Sequence, residues 1–108
     1  MPTKPYTDTL YPRLKSNPKL AAHYLMDALE DPDPAVFLVA LRDVVTANGG
    51  VTEVAEKAGM HRTSAYRMTS ENGNPEVRRL SALLRALKLK LSIEPLERKP
   101  PRRKSAAA

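Results

Sequence analysis

The chain contains no cysteine, which excludes disulfide bonds and thiolate metal sites. It has no apolar run long enough to span a membrane, and its first residues lack the apolar stretch of a signal peptide. It also has no internal repeat. Its 108 residues are enough for one small domain with one core. We therefore expect a single cytoplasmic domain with no membrane segment.

The net charge of +6 is distributed unevenly along the chain. From Asp27 to Glu56 there are seven acidic residues and one arginine, whereas from Lys57 to Lys90 there are eight basic and two acidic residues. Five further bases lie between Arg98 and Lys104. The basic half is suited to a phosphate-lined partner, and the acidic half is expected to face away from it or toward another partner.

Local start and stop signals predict five helices. Asn17 and Asp33 are good N-caps, and each is followed by a proline, which is tolerated at the first helical position. Asn74 precedes a proline in the same way. Gly50 and Gly59 end helical patterns, because glycine readily adopts the left-handed conformation at a helix end. The predicted helices begin at Pro18, Pro34, Val51, about Arg62 and Pro75.

The end of the chain is predicted to contain one short strand. Leu89, Leu91 and Ile93 alternate with polar residues, which is the pattern of a half-buried strand. A single strand cannot stand alone, so we expect it, or the adjacent Leu83–Leu87 stretch, to contact a second copy. The expected organisation is a flexible arm (1–16), a helical domain (17–96) and a disordered basic tail (97–108).

The stretch from Val51 to Met68 is the most informative. Val51, Val54 and Ala55 share one helix face, and a second short helical pattern with Ala65 and Met68 inward follows Gly59. Two short helices joined by such a turn are typical of a helix-turn-helix, whose second helix reads bases in the DNA major groove.

The outward residues of the second helix are therefore candidates for contacts with DNA. Base contacts are predicted for Arg62, Thr63, Tyr66 and Arg67, with Ser64 at the edge of this face. For Tyr66, and for His61 at or just before the helix start, the contact is with either bases or phosphates. Phosphate contacts are predicted at two helix starts, where free N–H groups favour an anion. They involve Thr52 at one start, and at the other Asn74 with Arg78 or Arg79 one turn on. The alternative interpretation is a solvated helix in a structural bundle.

No residue pattern indicates an enzyme. The two histidines, His23 and His61, lie far apart, and no His and carboxylate set has metal-ligand spacing, so no metal or cofactor is expected. The basic tail is compatible with RNA, but no aromatic stacking platform supports that.

Several segments together resemble the addiction-module antidote proteins, which are small antitoxins with a Cro/C1-like (Xre-type) helix-turn-helix. The resemblance rests on residues 24–31 (YLMDALED), 35–41 (AVFLVAL), the helix-turn-helix, 73–75 (GNP) and 87–93 (LKLKLSI), and it runs from about Asn17 to Pro95. Two positions depart from the pattern: His61 stands in place of a serine-like cap, and Ala65 in place of a larger aliphatic residue.

The resemblance implies an all-α, five-helix DNA-binding domain with one C-terminal strand. It also implies a toxin partner of the RelE/ParE-like type, repression of the shared operon, and base contacts by Arg62, Thr63, Tyr66 and Arg67. We expect a homodimer on double-stranded operator DNA, with the Asn17–Leu29 helix or the N-terminal arm engaging the toxin. The alternatives are a free-standing prophage-type regulator and a toxin-binding module that does not bind DNA.

Overall fold

The computed structural model of the chain describes residues 6–70 and 72–96. Within these residues it contains six α-helices and no strand. The all-α class is therefore confirmed, whereas the count of five helices is wrong. The helices are α1 (Tyr6–Ser16), α2 (Pro18–Leu29), α3 (Pro34–Ala47), α4 (Val51–Ala58), α5 (Arg62–Met68) and α6 (Val77–Ala86).

The additional helix is α1, which occupies most of the predicted N-terminal arm. Pro12 lies inside it and removes one helical hydrogen bond, which argues against a helix on local grounds. Leu10 and Leu14 are nevertheless buried in the core, with Leu14 only 1% exposed. Burial of each leucine contributes about 1.5–3 kcal/mol, which offsets the cost of the proline. Residues 1–5 lie outside the described part of the chain.

A carboxylate on α3 holds the first two helices in place. Asp43 accepts a hydrogen bond from the Tyr24 hydroxyl at 2.6 Å and one from the Tyr11 hydroxyl at 3.2 Å. Burial raises the pKa of Tyr11 above its ordinary value of 10.0, and the charge of Asp43 and its hydrogen bond raise it further. The helices α1 and α2 therefore pack on α3 through polar contacts as well as through apolar ones.

The predicted caps of α2 and α3 are confirmed. The Asn17 side chain accepts a hydrogen bond from the Leu20 backbone N–H at 3.1 Å, and the Asp33 side chain accepts one from the Ala35 N–H at 2.9 Å. Each bond satisfies one of the free N–H groups at a helix start, which is why the helix begins there.

The predicted start of α6 is wrong. The N-cap is Glu76 and the first helical residue is Val77, so Asn74 caps nothing. At Gly73 the chain runs so close to the end of α5 that a Cβ would lie 2.6 Å from the Met68 carbonyl oxygen. Asn74 then lies beside the α2–α3 connection, so the chain crosses between elements before it can become helical.

The predicted C-terminal strand is absent from the described part of the chain, where residues 89–96 belong to neither helix nor strand. A strand is defined by pairing with a second strand, and the described chain offers none. The predicted tail, 97–108, lies outside the described residues.

One core joins all six helices. The axes of α3 and α4 are bent by 89° relative to each other, which turns the chain from the α1–α3 layer toward α5 and α6. The helix α4 then packs against both α5 and α6. The buried core residues are Leu10, Leu14, Ala21, Leu25, Ala40, Leu41, Val44, Val45, Val51, Val54, Ala55, Ala65, Met68, Leu83, Leu84 and Leu87.

Candidate nucleic-acid interface

The turn between α4 and α5 is built around Gly59, which has a positive φ of 73°. Its N–H donates to the Glu56 carbonyl oxygen, and the Met60 N–H donates to the Ala55 carbonyl oxygen, at 3.1 and 3.0 Å. This pair of bonds is a Schellman motif, which satisfies the last carbonyls of α4. Met60 is half-buried against the core, as the pattern predicts.

The helix α5 has two distinct faces. His61 is its N-cap, without a side-chain capping bond, so the predicted helix start is confirmed. Ala65 and Met68 are buried, and Ala65 is 0% exposed, so this small residue lies fully inside the core. The predicted outward residues are exposed, with Ser64 half-buried at the edge; they are Arg62, Thr63, Tyr66 and Arg67.

The start of α5 and the first turns of α6 border a shared open hollow of about 310 Å³. His61 and Ser64 line it from the α5 side, and Arg78 and Arg79 line it from the α6 side. The structure thus brings together predicted site residues of α5 and α6, which are His61, Ser64, Arg78 and Arg79. Their polar and cationic side chains make this hollow a suitable place for an anionic group.

Thr52 and Asn74 lie outside this hollow. Thr52 is exposed in the first turn of α4, whose N-cap is Gly50. Asn74 is exposed in the loop before α6 and is not at a helix start. The predicted phosphate contact at Asn74 depends on the free N–H groups of a helix that Asn74 would cap. Because Asn74 caps no helix, this argument does not apply to it.

A further cation reaches α5 from α3. The guanidinium carbon of Arg42 lies 5.4 Å from the centroid of the Tyr66 ring. This geometry is a cation–π contact, worth about 0.5–1 kcal/mol at an exposed site. Arg42 is the one base of the acidic half, and no sequence pattern assigns it to α5, because the contact spans elements far apart in the chain.

Among residues 6–70 and 72–96, no carboxylate forms an ion pair with the arginines around α5. Among the described residues the one ion pair joins the Lys57 Nζ to Glu53 at 3.5 Å, one turn apart on α4. No described carboxylate lies within ion-pair distance of the other cations near α5 and the start of α6, which are Arg62, Arg67, Arg78 and Arg79. Their charge is therefore available to an anionic partner.

Other site types find little support in the described residues. No three His, Asp or Glu side chains in residues 6–70 and 72–96 are grouped as a metal site requires. Over the same residues no single helix has the length and apolar character to cross a membrane, although α3 and α4 meet those criteria as a bent pair.

Comparisons with known proteins identify a family. Searches of curated proteins and of solved structures find no match. A family model described as "Probable addiction module antidote protein" matches residues 8–95, which takes in α2 to α6, nearly all of α1 and the segment after α6. The chain therefore belongs to the family of probable addiction module antidote proteins.

Proposed function

We propose that this antidote protein is a sequence-specific DNA-binding antitoxin that represses its own operon as a homodimer. Its partner is a cognate toxin of the RelE/ParE-like type, and its DNA-binding unit is a Cro/C1-like helix-turn-helix formed by α4 and α5. The family match supports the antitoxin role. The proposed DNA contact depends on the surface of α5.

One observation carries the DNA-binding proposal: the exposed face of α5 presents hydrogen-bonding side chains with unpaired cations. Arg62 and Arg67 have the donor geometry that suits guanine, and Thr63 suits a thymine methyl or an acceptor. We assign contacts with the phosphates beside the DNA major groove to Arg78 and Arg79, which line the hollow between α6 and the start of α5. One helix of seven residues reads few base pairs, so two copies on adjacent half-sites supply the needed surface.

The proposed toxin surface lies on the other half of the molecule. An open groove of about 620 Å³ runs between α2 and α3, and Asp27, Val36 and Val39 line it. Both valines are exposed, and between residues 20 and 41 the chain has four acidic residues and no lysine or arginine. An apolar groove with acidic surroundings is suited to a basic partner, so we propose that the matching surface of the toxin is basic.

The DNA-binding proposal is tested by fluorescence anisotropy with the chain's own upstream region and with scrambled DNA of the same length. We expect specific binding roughly 10³-fold tighter than binding to the scrambled DNA at physiological salt. Equal affinity for both sequences would contradict sequence-specific recognition. Absence of any DNA binding by a protein that still binds its toxin would favour the alternative, a toxin-binding module that uses the fold as a scaffold.

A further inference from the structure

The segment after α6 leaves apolar side chains in solvent. Leu91 is 46% exposed, Ile93 97% and Leu96 93%. In the described part of the chain no backbone hydrogen bond involves residues 90–96. A row of unpaired backbone groups with exposed apolar side chains is a template for pairing with another strand.

The structure also limits where such pairing can begin. Lys88 has a positive φ of 67°, and its N–H donates to the Arg85 carbonyl oxygen at 2.9 Å. The Leu89 N–H donates to the Leu84 carbonyl oxygen at 2.8 Å. Both residues therefore complete the Schellman motif that ends α6, so they are unavailable as donors in a strand ladder.

We propose that residues 90–94 pair with the same segment of a second copy, antiparallel, with the two-fold axis at Ser92. This inference rests on the homodimer of the proposed function and gives its contact and register. In this register Lys90 faces Glu94 of the second copy, and Leu91 faces Ile93 of the second copy. The two-fold axis repeats each pair, so the segment is complementary to itself in both charge and apolar character.

The neighbouring registers are less favourable. A shift of one residue places apolar side chains opposite polar ones and turns them to the other face of the ribbon. An axis at Leu91 would pair Glu94 with Lys88, but Lys88 is held in its left-handed conformation at the end of α6. An axis at Ile93 would place Lys90 opposite Leu96 and Leu91 opposite Pro95, which has no N–H to donate.

An apolar groove beside the segment supports the same occupant. The groove has a volume of about 490 Å³, lies between α2 and α6, and is lined by Leu91 together with the exposed Met26 and Leu29. Because Leu91 faces Ile93 of the second copy in this register, that isoleucine extends the apolar lining and covers part of the groove. The pairing therefore covers Ile93, which is 97% exposed, in both copies.

The test is a charge swap read out by sedimentation equilibrium without DNA. We expect Lys90→Glu and Glu94→Lys each to weaken the dimer at least about tenfold. Each substitution places like charges at positions 90 and 94 opposite each other, in both of the symmetry-related pairs. The double variant Lys90→Glu/Glu94→Lys restores both pairs at unchanged net charge and should dimerise within about threefold of wild type. An equimolar mixture of the two single variants should also form a heterodimer, since its chains complete both ion pairs.

Two controls separate the outcomes. Lys15→Glu makes the same charge change on α1 and should leave the dimer unchanged. Leu91→Asp should give monomers with wild-type helical content by circular dichroism. If the wild type dimerises and Lys90→Glu dimerises equally well, this register is overturned while the homodimer stands. A folded double variant that stays monomeric would have the same meaning. A wild-type chain that is monomeric at every concentration would instead overturn the homodimer itself.

Discussion

Arg42 on α3 lies against the ring of Tyr66 on α5, with 5.4 Å between its guanidinium carbon and the ring centroid. The contact joins the acidic half of the chain to the exposed face of α5. It restrains a tyrosine that is nearly half exposed and lies beside the arginines proposed to read DNA. A residue outside the proposed helix-turn-helix thus contacts a side chain of the candidate reading face on α5.

The contact predicts that Arg42→Gln lowers operator affinity several-fold and destabilises the fold by about 0.5–1 kcal/mol, because Tyr66 loses its cation. Tyr66→Phe keeps the aromatic face and should retain that stability. Operator binding by anisotropy and unfolding by urea measure the two effects. An Arg42→Gln protein with wild-type values in both would contradict a structural role for the contact.

The arginines of α5 are predicted to differ in effect from those of α6. Arg62→Ala and Arg67→Ala should each weaken operator binding by about 1–3 kcal/mol and relax specificity, as expected for guanine contacts. Arg79→Ala should weaken binding to operator DNA and to scrambled DNA equally, as expected for a phosphate contact. It should also reduce the slope of log affinity against log salt concentration by about one. The matched control is Arg13→Ala, an exposed arginine on α1, which should change neither.

The end of α6 predicts a stabilising substitution. Lys88 occupies the left-handed position that Gly59 occupies at the end of α4. Glycine adopts this conformation without the cost of about 1–2 kcal/mol that other residues bear. It loses more entropy on folding than lysine, which offsets part of that gain. Lys88→Gly should therefore stabilise the protein by about 0.5–1 kcal/mol in urea unfolding.

The reciprocal change is its control. Gly59→Ala should destabilise the protein by about 1–2 kcal/mol at the equivalent position. If Lys88→Gly lowers stability, the left-handed conformation at Lys88 is not a source of strain.

The raised pKa of Tyr11 predicts a loss of stability in alkali. Burial and the nearby charge of Asp43 favour the neutral phenol in the folded state, so the unfolded state ionises first, near 10.0. The stabilisation is fully present below pH 10.0 and is lost as the pH rises toward the higher folded pKa. Unfolding free energies measured from pH 8 to pH 11 should show a steeper decline for wild type than for Tyr11→Phe. Identical slopes would contradict the raised pKa.

The toxin surface is tested at the groove between α2 and α3. Val39→Glu places a charge among apolar residues of the groove and should weaken toxin binding at least about tenfold, measured by calorimetry, with operator binding unchanged. Val77→Glu changes another exposed valine, on α6, and should not affect the toxin. Deleting residues 1–30 would not test the toxin surface, because it would remove Leu14 and Leu25 from the core of the fold.

Signals local to the sequence determined the course of the chain from α2 to α5. Asn17, Asp33 and Gly59 each act within a few residues through hydrogen bonds or a backbone preference, so their effect is visible in sequence. The inward Ala65 and Met68 likewise follow from the helical repeat, which depends only on spacing.

The tertiary structure decided what depends on distant neighbours. The helix α1 forms because Leu14 reaches a core assembled from later residues, and α6 starts late because Gly73 passes close to α5. Arg42 reaches Tyr66 only through the packing of α3 against the rest of the fold. The alternating residues after α6 show no strand because pairing requires a second backbone, which sequence periodicity alone does not supply.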